Sequence, residues 1–89
     1  MENTQNPLSK IISLIKSSEK KYKEKKFKES LDLLEAIEDK TASIYELIGD
    51  CYVYLGANDN ARINYLKAME ASPSESVKSI IKMKLSDIN

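Results

Sequence analysis

The chain has no histidine and no tryptophan, and its 89 residues include one cysteine, Cys51, two glycines, two prolines and one phenylalanine. One cysteine forms no internal disulfide, and a zinc site needs several Cys, His or carboxylate ligands clustered together, so the sequence offers neither a staple nor a metal to hold a fold. Without histidine, without a Gly-rich phosphate loop and with no base near Cys51 in sequence, the usual acid–base and nucleophilic constellations are missing. The chain therefore reads as no enzyme, with no cofactor and no catalytic residue. Cys51 itself sits mid-helix beside packing residues and reads as a buried structural thiol. A long hydrophobic run is also missing: LSKIISLI, residues 8–15, is broken by Lys10 and two serines, unlike a membrane span or a signal-peptide core. The expectation is a cytoplasmic protein.

What the chain does have is apolar and charged material, 42% and 31%, enough for a packed core and too apolar for general disorder. At 89 residues it makes a single domain with a thin core, since a chain of this size buries only about 60 to 65% of its unfolded surface. Fourteen Lys and Arg balance fourteen Asp and Glu, so no net charge draws it to nucleic acid or an anionic membrane. The charges are nonetheless segregated. Residues 16–28 hold seven Lys and two Glu, whereas residues 29–50 hold seven acids and one Lys.

The opening MENTQN, residues 1–6, is polar and aperiodic and reads as a disordered end. Asn6 offers an N-cap and Pro7 a first helical residue, where a missing N–H costs nothing. Leu8, Ile11, Ile12, Leu14, Ile15 and Tyr22 then recur at helical intervals, and Phe27, Leu31, Leu34 and Ile37 predict a second helix over about 27–38. Thr41 is positioned to cap a third helix over about 42–55, ended by Gly56, which lacks the Cβ that penalises a left-handed residue. Asn58-Asp59-Asn60 supply turn and cap chemistry before a fourth helix carrying Ala61, Tyr65, Leu66, Ala68 and Met69. In SPSE, residues 72–75, a Ser cap, a Pro at the first helical position and a Glu at the third predict a fifth helix to about 87. Its stripe is Val77, Ile80, Ile81, Leu85 and Ile88. With no strand-like alternation, the fold class is all-α, built of antiparallel helix hairpins.

One unit carries a spacing of its own. Tyr45, Ile48-Gly49, Tyr52, Ala61, Tyr65, Ala68 and Pro73 resemble the tetratricopeptide repeat signature, with Tyr for its usual Trp and Ile for its usual Leu. The physical content is close packing: Gly49 and Ala61 are small so that two helices approach, while Tyr52 and Tyr65 fill the space beside them. A weaker copy lies upstream in Leu14, Ser18, Tyr22, Phe27, Ser30, Leu34 and Ile37, with Lys21 in the place of Tyr52 and Lys25 in that of Gly56. Ser30 precedes Ala61 by 31 residues, about three fewer than the usual repeat. The layout is then repeat 1 over about 8–40, repeat 2 over about 42–73 and a capping helix over about 74–88. Two repeats and a cap fall short of the three or so that stabilise an array, which implies a partner chain, another protein or a second copy.

In proteins of this family the first helix of each repeat lines a concave groove that receives a peptide or helix. By resemblance the groove falls on Ile12, Ile15, Glu19 and Tyr22 in the first repeat, and on Ser43, Glu46, Asp50, Val53 and Tyr54 in the second. Members that capture a C-terminal carboxylate place Lys, Asn and Arg here; Glu46 and Asp50 are the wrong charge. The resemblance implies instead a non-catalytic chaperone or adaptor holding a partner's amphipathic helix, with Ile15, Tyr22, Val53 and Tyr54 receiving apolar anchors and the acids meeting basic residues. Size and repeat layout also resemble the chaperones of bacterial type III secretion needle subunits. The alternatives are a scaffold that self-associates through the groove or the fifth helix, and nucleic-acid binding through the basic run Lys16–Lys28, with Tyr22 and Phe27 as stacking rings. Chain neutrality favours a solvated lysine face over the last of these.

Overall fold

A computed structural model describes residues 7–72 and 74–88. The fold is all-α: α1 is Pro7–Lys23, α2 Phe27–Glu35, α3 Ala42–Tyr54, α4 Asn58–Ala71 and α5 Glu75–Asp87, with no strand among the described residues. The chain divides into two compact units, Met1–Glu38 and Asp39–Asn89. The expected disordered end at 1–6, the Asn6 cap and the signature residue Pro73 lie outside the described residues.

In the first unit α1 and α2 form one hairpin. They approach at Ser18 and Ser30, both fully buried, and the polar atoms that burial would strand are satisfied: Ser30 Oγ donates to the Ser18 carbonyl at 2.8 Å, and Ser18 Oγ to the Ile15 carbonyl at 2.7 Å. Leu31, Leu34 and Ile37 are buried as their spacing predicts. Tyr22 and Phe27 meet edge to face across the turn, with ring centroids 5.3 Å apart and planes at 74°. Helix α2 ends at Glu35 rather than near 38, and the Ile37 N–H bonds the Leu34 carbonyl at 3.1 Å, a tightened last turn.

The second unit is the hairpin of α3 and α4 with α5 packed on α4. Gly49 stands against the ring of Tyr65 so closely that a Cβ there would lie 2.6 Å from Cε1. Ala61, Tyr65, Ala68, Ile81 and Ile88 form the core, with Tyr45, Tyr52, Val53, Met69, Val77 and Leu85 packed around it. Ile48 and Cys51 are also fully buried, Cys51 outside any disulfide. Thr41 caps α3, its Oγ1 accepting from the Ile44 N–H at 3.4 Å.

Three local expectations need correction. Asn58 to Asn60 are the first turn of α4 and not a lead-in to it; the cap is Ala57, with no side-chain bond. The cap of α5 is Ser74, not Ser72: Ser74 Oγ accepts from the Val77 N–H at 3.4 Å, so Glu75 opens the helix and no Ser72–Glu75 capping box forms. Ile80 is half exposed, because neighbours on a helix point about 100° apart and Ile81 takes the core side.

The two hairpin turns repeat each other residue by residue at an offset of 31. Lys26 and Ala57 precede α2 and α4 at φ/ψ of −94/70° and −95/71°, and before them Lys25 and Gly56 take positive φ, 64° and 79°. Each turn carries the paired Schellman bonds: Lys26 N–H to Lys21 O at 2.8 Å and Lys25 N–H to Tyr22 O at 3.0 Å, then Ala57 N–H to Tyr52 O at 2.9 Å and Gly56 N–H to Val53 O at 3.1 Å. One backbone design thus accommodates glycine in one copy and lysine in the other.

Candidate partner-binding surface

The α1 residues expected on a groove lie along one side of a 17-residue helix. Ile15 and Tyr22 are half-buried, whereas Ile12 and Glu19 are exposed, Ile12 to 46%. Leu8, one turn before Ile12, is 64% exposed. At about 100° per residue Leu8, Ile12, Ile15 and Glu19 fall within roughly 60° of one another, so the exposed apolar side chains form a strip and not scattered points.

On α3 the expected positions have different fates. Ser43 is exposed, and Tyr54 is exposed to 63%. Val53 packs on the core of the second unit. Glu46 and Asp50, one turn apart, are held by Lys84 of α5: its Nζ donates to Glu46 Oε2 at 2.6 Å and to the two Asp50 oxygens at 3.1 and 3.2 Å. Tyr65 completes the cluster, its hydroxyl donating to Asp50 Oδ1 at 2.5 Å while Lys84 Nζ stands 6.0 Å from its ring centroid. Burial alone would lower the Lys84 pKa, but the hydrogen bond to Glu46 and the charge of Asp50 outweigh it and hold the ammonium above the ordinary lysine value.

Lys84 is the residue that sequence reasoning missed. A signal was present: with Val77, Ile81 and Ile88 it makes an i, i+4, i+7, i+11 series, so a lysine lies on the apolar stripe of α5. A charge on a core-facing stripe calls for a partner, and acids one turn apart on another helix can supply it.

The lysines of residues 16–28 are also sorted by the fold. Lys21 pairs with Glu29 at 3.3 Å, Lys26 with Glu24 at 3.7 Å and Lys28 with Asp32 at 3.6 Å. Lys16, Lys20, Lys23 and Lys25 are exposed and make no ion pair among the described residues. No group of three His, Cys, Asp or Glu among the described residues is placed to hold a metal ion, and no described helix is long and apolar enough to cross a membrane. A family model described as a tetratricopeptide repeat-like domain matches residues 2–89. No curated protein and no solved structure matches the chain.

Proposed function

Because the chain belongs to the tetratricopeptide repeat-like domain family, we propose that it is a non-catalytic interaction module that holds a partner's amphipathic helix against α1. Domains of this family generally mediate protein–protein interaction. The observation that supports α1 as the site is its strip of Leu8 and Ile12, exposed beside half-buried Ile15 and Tyr22. Burying two such side chains is worth roughly 1.5 to 3 kcal/mol each, enough to anchor a helix. Glu46 and Asp50 drop out as sites for basic partner residues, since Lys84 already meets them within the chain. The finer reading, a small cytoplasmic chaperone shielding an apolar helix as needle-subunit chaperones do, is supported by chain size and repeat layout. A nucleic-acid role is disfavoured because Tyr22 and Phe27 are half-buried against each other.

A labelled designed helix of about 20 residues, long enough to hold its own structure, tests the reading. With a leucine face and glutamine edges, it binds the full chain saturably in fluorescence anisotropy. Leu8→Asp with Ile12→Asp weakens binding by about tenfold or more with an unchanged circular dichroism spectrum. Absence of binding, or equal binding by the variant, removes the proposal.

A further inference from the structure

We infer that the partner helix held by α1 is acidic along its polar edge. This rests on the α1 reading above and adds the sign of the partner's charge. The exposed strip of α1 is bordered on one side by lysines. From Ile12, Lys23, Lys16 and Lys20 lie successively about 20°, 40° and 80° further round the helix, with Lys16, Lys20 and Lys23 spaced i, i+4, i+7. These are the lysines that α2 does not neutralise. Two of its three acids, Glu29 and Asp32, pair with Lys21 and Lys28, and the turn acid Glu24 pairs with Lys26. Lys16, Lys20, Lys23 and Lys25 keep their charges in solvent, with Glu19 the one acid on the strip.

The pattern along the helix also has a direction. The first two turns of α1 expose Leu8 and Ile12, and the turns beyond expose Lys16, Lys20 and Lys23, with Lys25 in the following turn. A partner helix that fits this strip has apolar residues at one end of its contact face and carboxylates flanking the other. A basic helix would meet three like charges here.

The test uses the full chain and three designed helices sharing one leucine face, their edges Glu, Gln or Lys. The expected order of affinity at low salt is Glu, then Gln, then Lys, with about tenfold or more between the extremes, since exposed pairs are individually weak and three act together. The gap narrows in high salt. It disappears or reverses in the variant carrying Lys16→Glu, Lys20→Glu and Lys23→Glu; if that variant loses helicity, the glutamine triple variant, expected to abolish the preference, decides. Equal or tighter binding of the Lys-edged helix overturns the inference, as does a Glu preference that survives the triple change. Gln-edged binding without charge preference refutes the charge sign and leaves the interaction module standing; no binding of any helix refutes both. Tighter binding of a single-stranded oligonucleotide, or of phosphatidylserine-containing vesicles, than of the Glu-edged helix also overturns it. So does a homodimer in light scattering that the triple variant dissolves.

Discussion

Gly49→Ala puts two opposed effects on one atom. Alanine in place of glycine inside a helix gains about 1 kcal/mol of propensity. The added Cβ would lie 2.6 Å from Tyr65 Cε1, 2.7 Å from Cδ1 and 3.0 Å from Cζ, closer than real Cβ contacts come. Tyr65 has little room to yield: it is 2% exposed, its ring lies in the core, and its hydroxyl is tied to Asp50. Overpacking of this kind costs about 1 to 3 kcal/mol, and a ring that swings away also loosens its bond to Asp50, worth about 1 to 2 kcal/mol more. The clash wins, with a net loss of about 1 to 4 kcal/mol.

Thermal unfolding followed by circular dichroism reads this as a midpoint lower by about 4 to 8 °C per kcal/mol for a chain of this size. The mechanism is isolated by a double-mutant cycle with Tyr65→Leu. That background reproduces the pairing of the first hairpin, where Ser18 and Leu34, 31 residues upstream of Gly49 and Tyr65, are both buried. In it Gly49→Ala is neutral or stabilising, giving a coupling of at least about 1 kcal/mol between sites in contact. An unchanged or raised midpoint for the single variant, or an equal loss in both backgrounds, refutes the reasoning.

Lys25→Gly raises stability by about 0.5 to 1 kcal/mol, since a left-handed lysine is strained and glycine is not, while Gly56→Ala loses about 1 kcal/mol with nothing in its way but conformation; urea midpoints check both. Lys84→Met leaves Glu46 and Asp50 facing each other and costs about 1 to 2 kcal/mol, limited because the cluster is partly exposed. The Lys84 pKa is raised on folding, so its contribution is full below the ordinary lysine value and lost as pH climbs through the raised one; urea midpoints above about pH 10.5 fall faster for the parent than for Lys84→Met. Cys51, fully buried, reacts with a thiol reagent only as fast as the second unit opens, and reaction at the rate of a free thiol removes its placement in the core.

The helices were legible because their signals are local: the small residues Gly49, Ala61, Ser18 and Ser30 and the large ones beside them sit at fixed spacings that only close helix pairs require. The caps were misjudged where backbone geometry outranks side-chain preference. Asn58, Asp59 and Asn60 all favour caps, yet Ala57 caps α4 because its N–H is already committed to the Tyr52 carbonyl in the Schellman turn while its own carbonyl takes the Ala61 N–H at 3.0 Å. Lys26 does the same before α2, accepting from the Ser30 N–H at 3.0 Å, so neither side chain had a vote. The α1 strip was visible in the periodicity of Leu8, Ile12 and Ile15. The capture of Glu46 and Asp50 by Lys84 was not, because Lys84 lies 38 and 34 residues away and partner choice at that range is decided by packing.

Comparison of α5 with α3 gives that ion cluster a purpose. Both helices are 13 residues long, and at an offset of 33 Thr41 matches Ser74 as cap while the fully buried Ile48 matches Ile81. The match breaks at the position that makes α3 a hairpin helix. Where Gly49 admits the ring of Tyr65, α5 has the exposed Lys82, too long and too polar for a following helix to pack as α4 packs on α3. Helix α5 is instead fixed by the side it does bury. Ile81 and Ile88 do this apolarly on α4, and Lys84 between them fixes orientation, since one ammonium reaches both acids of α3 only when the helix lies in register. The acids that by resemblance would face a ligand thus hold α5 against α3.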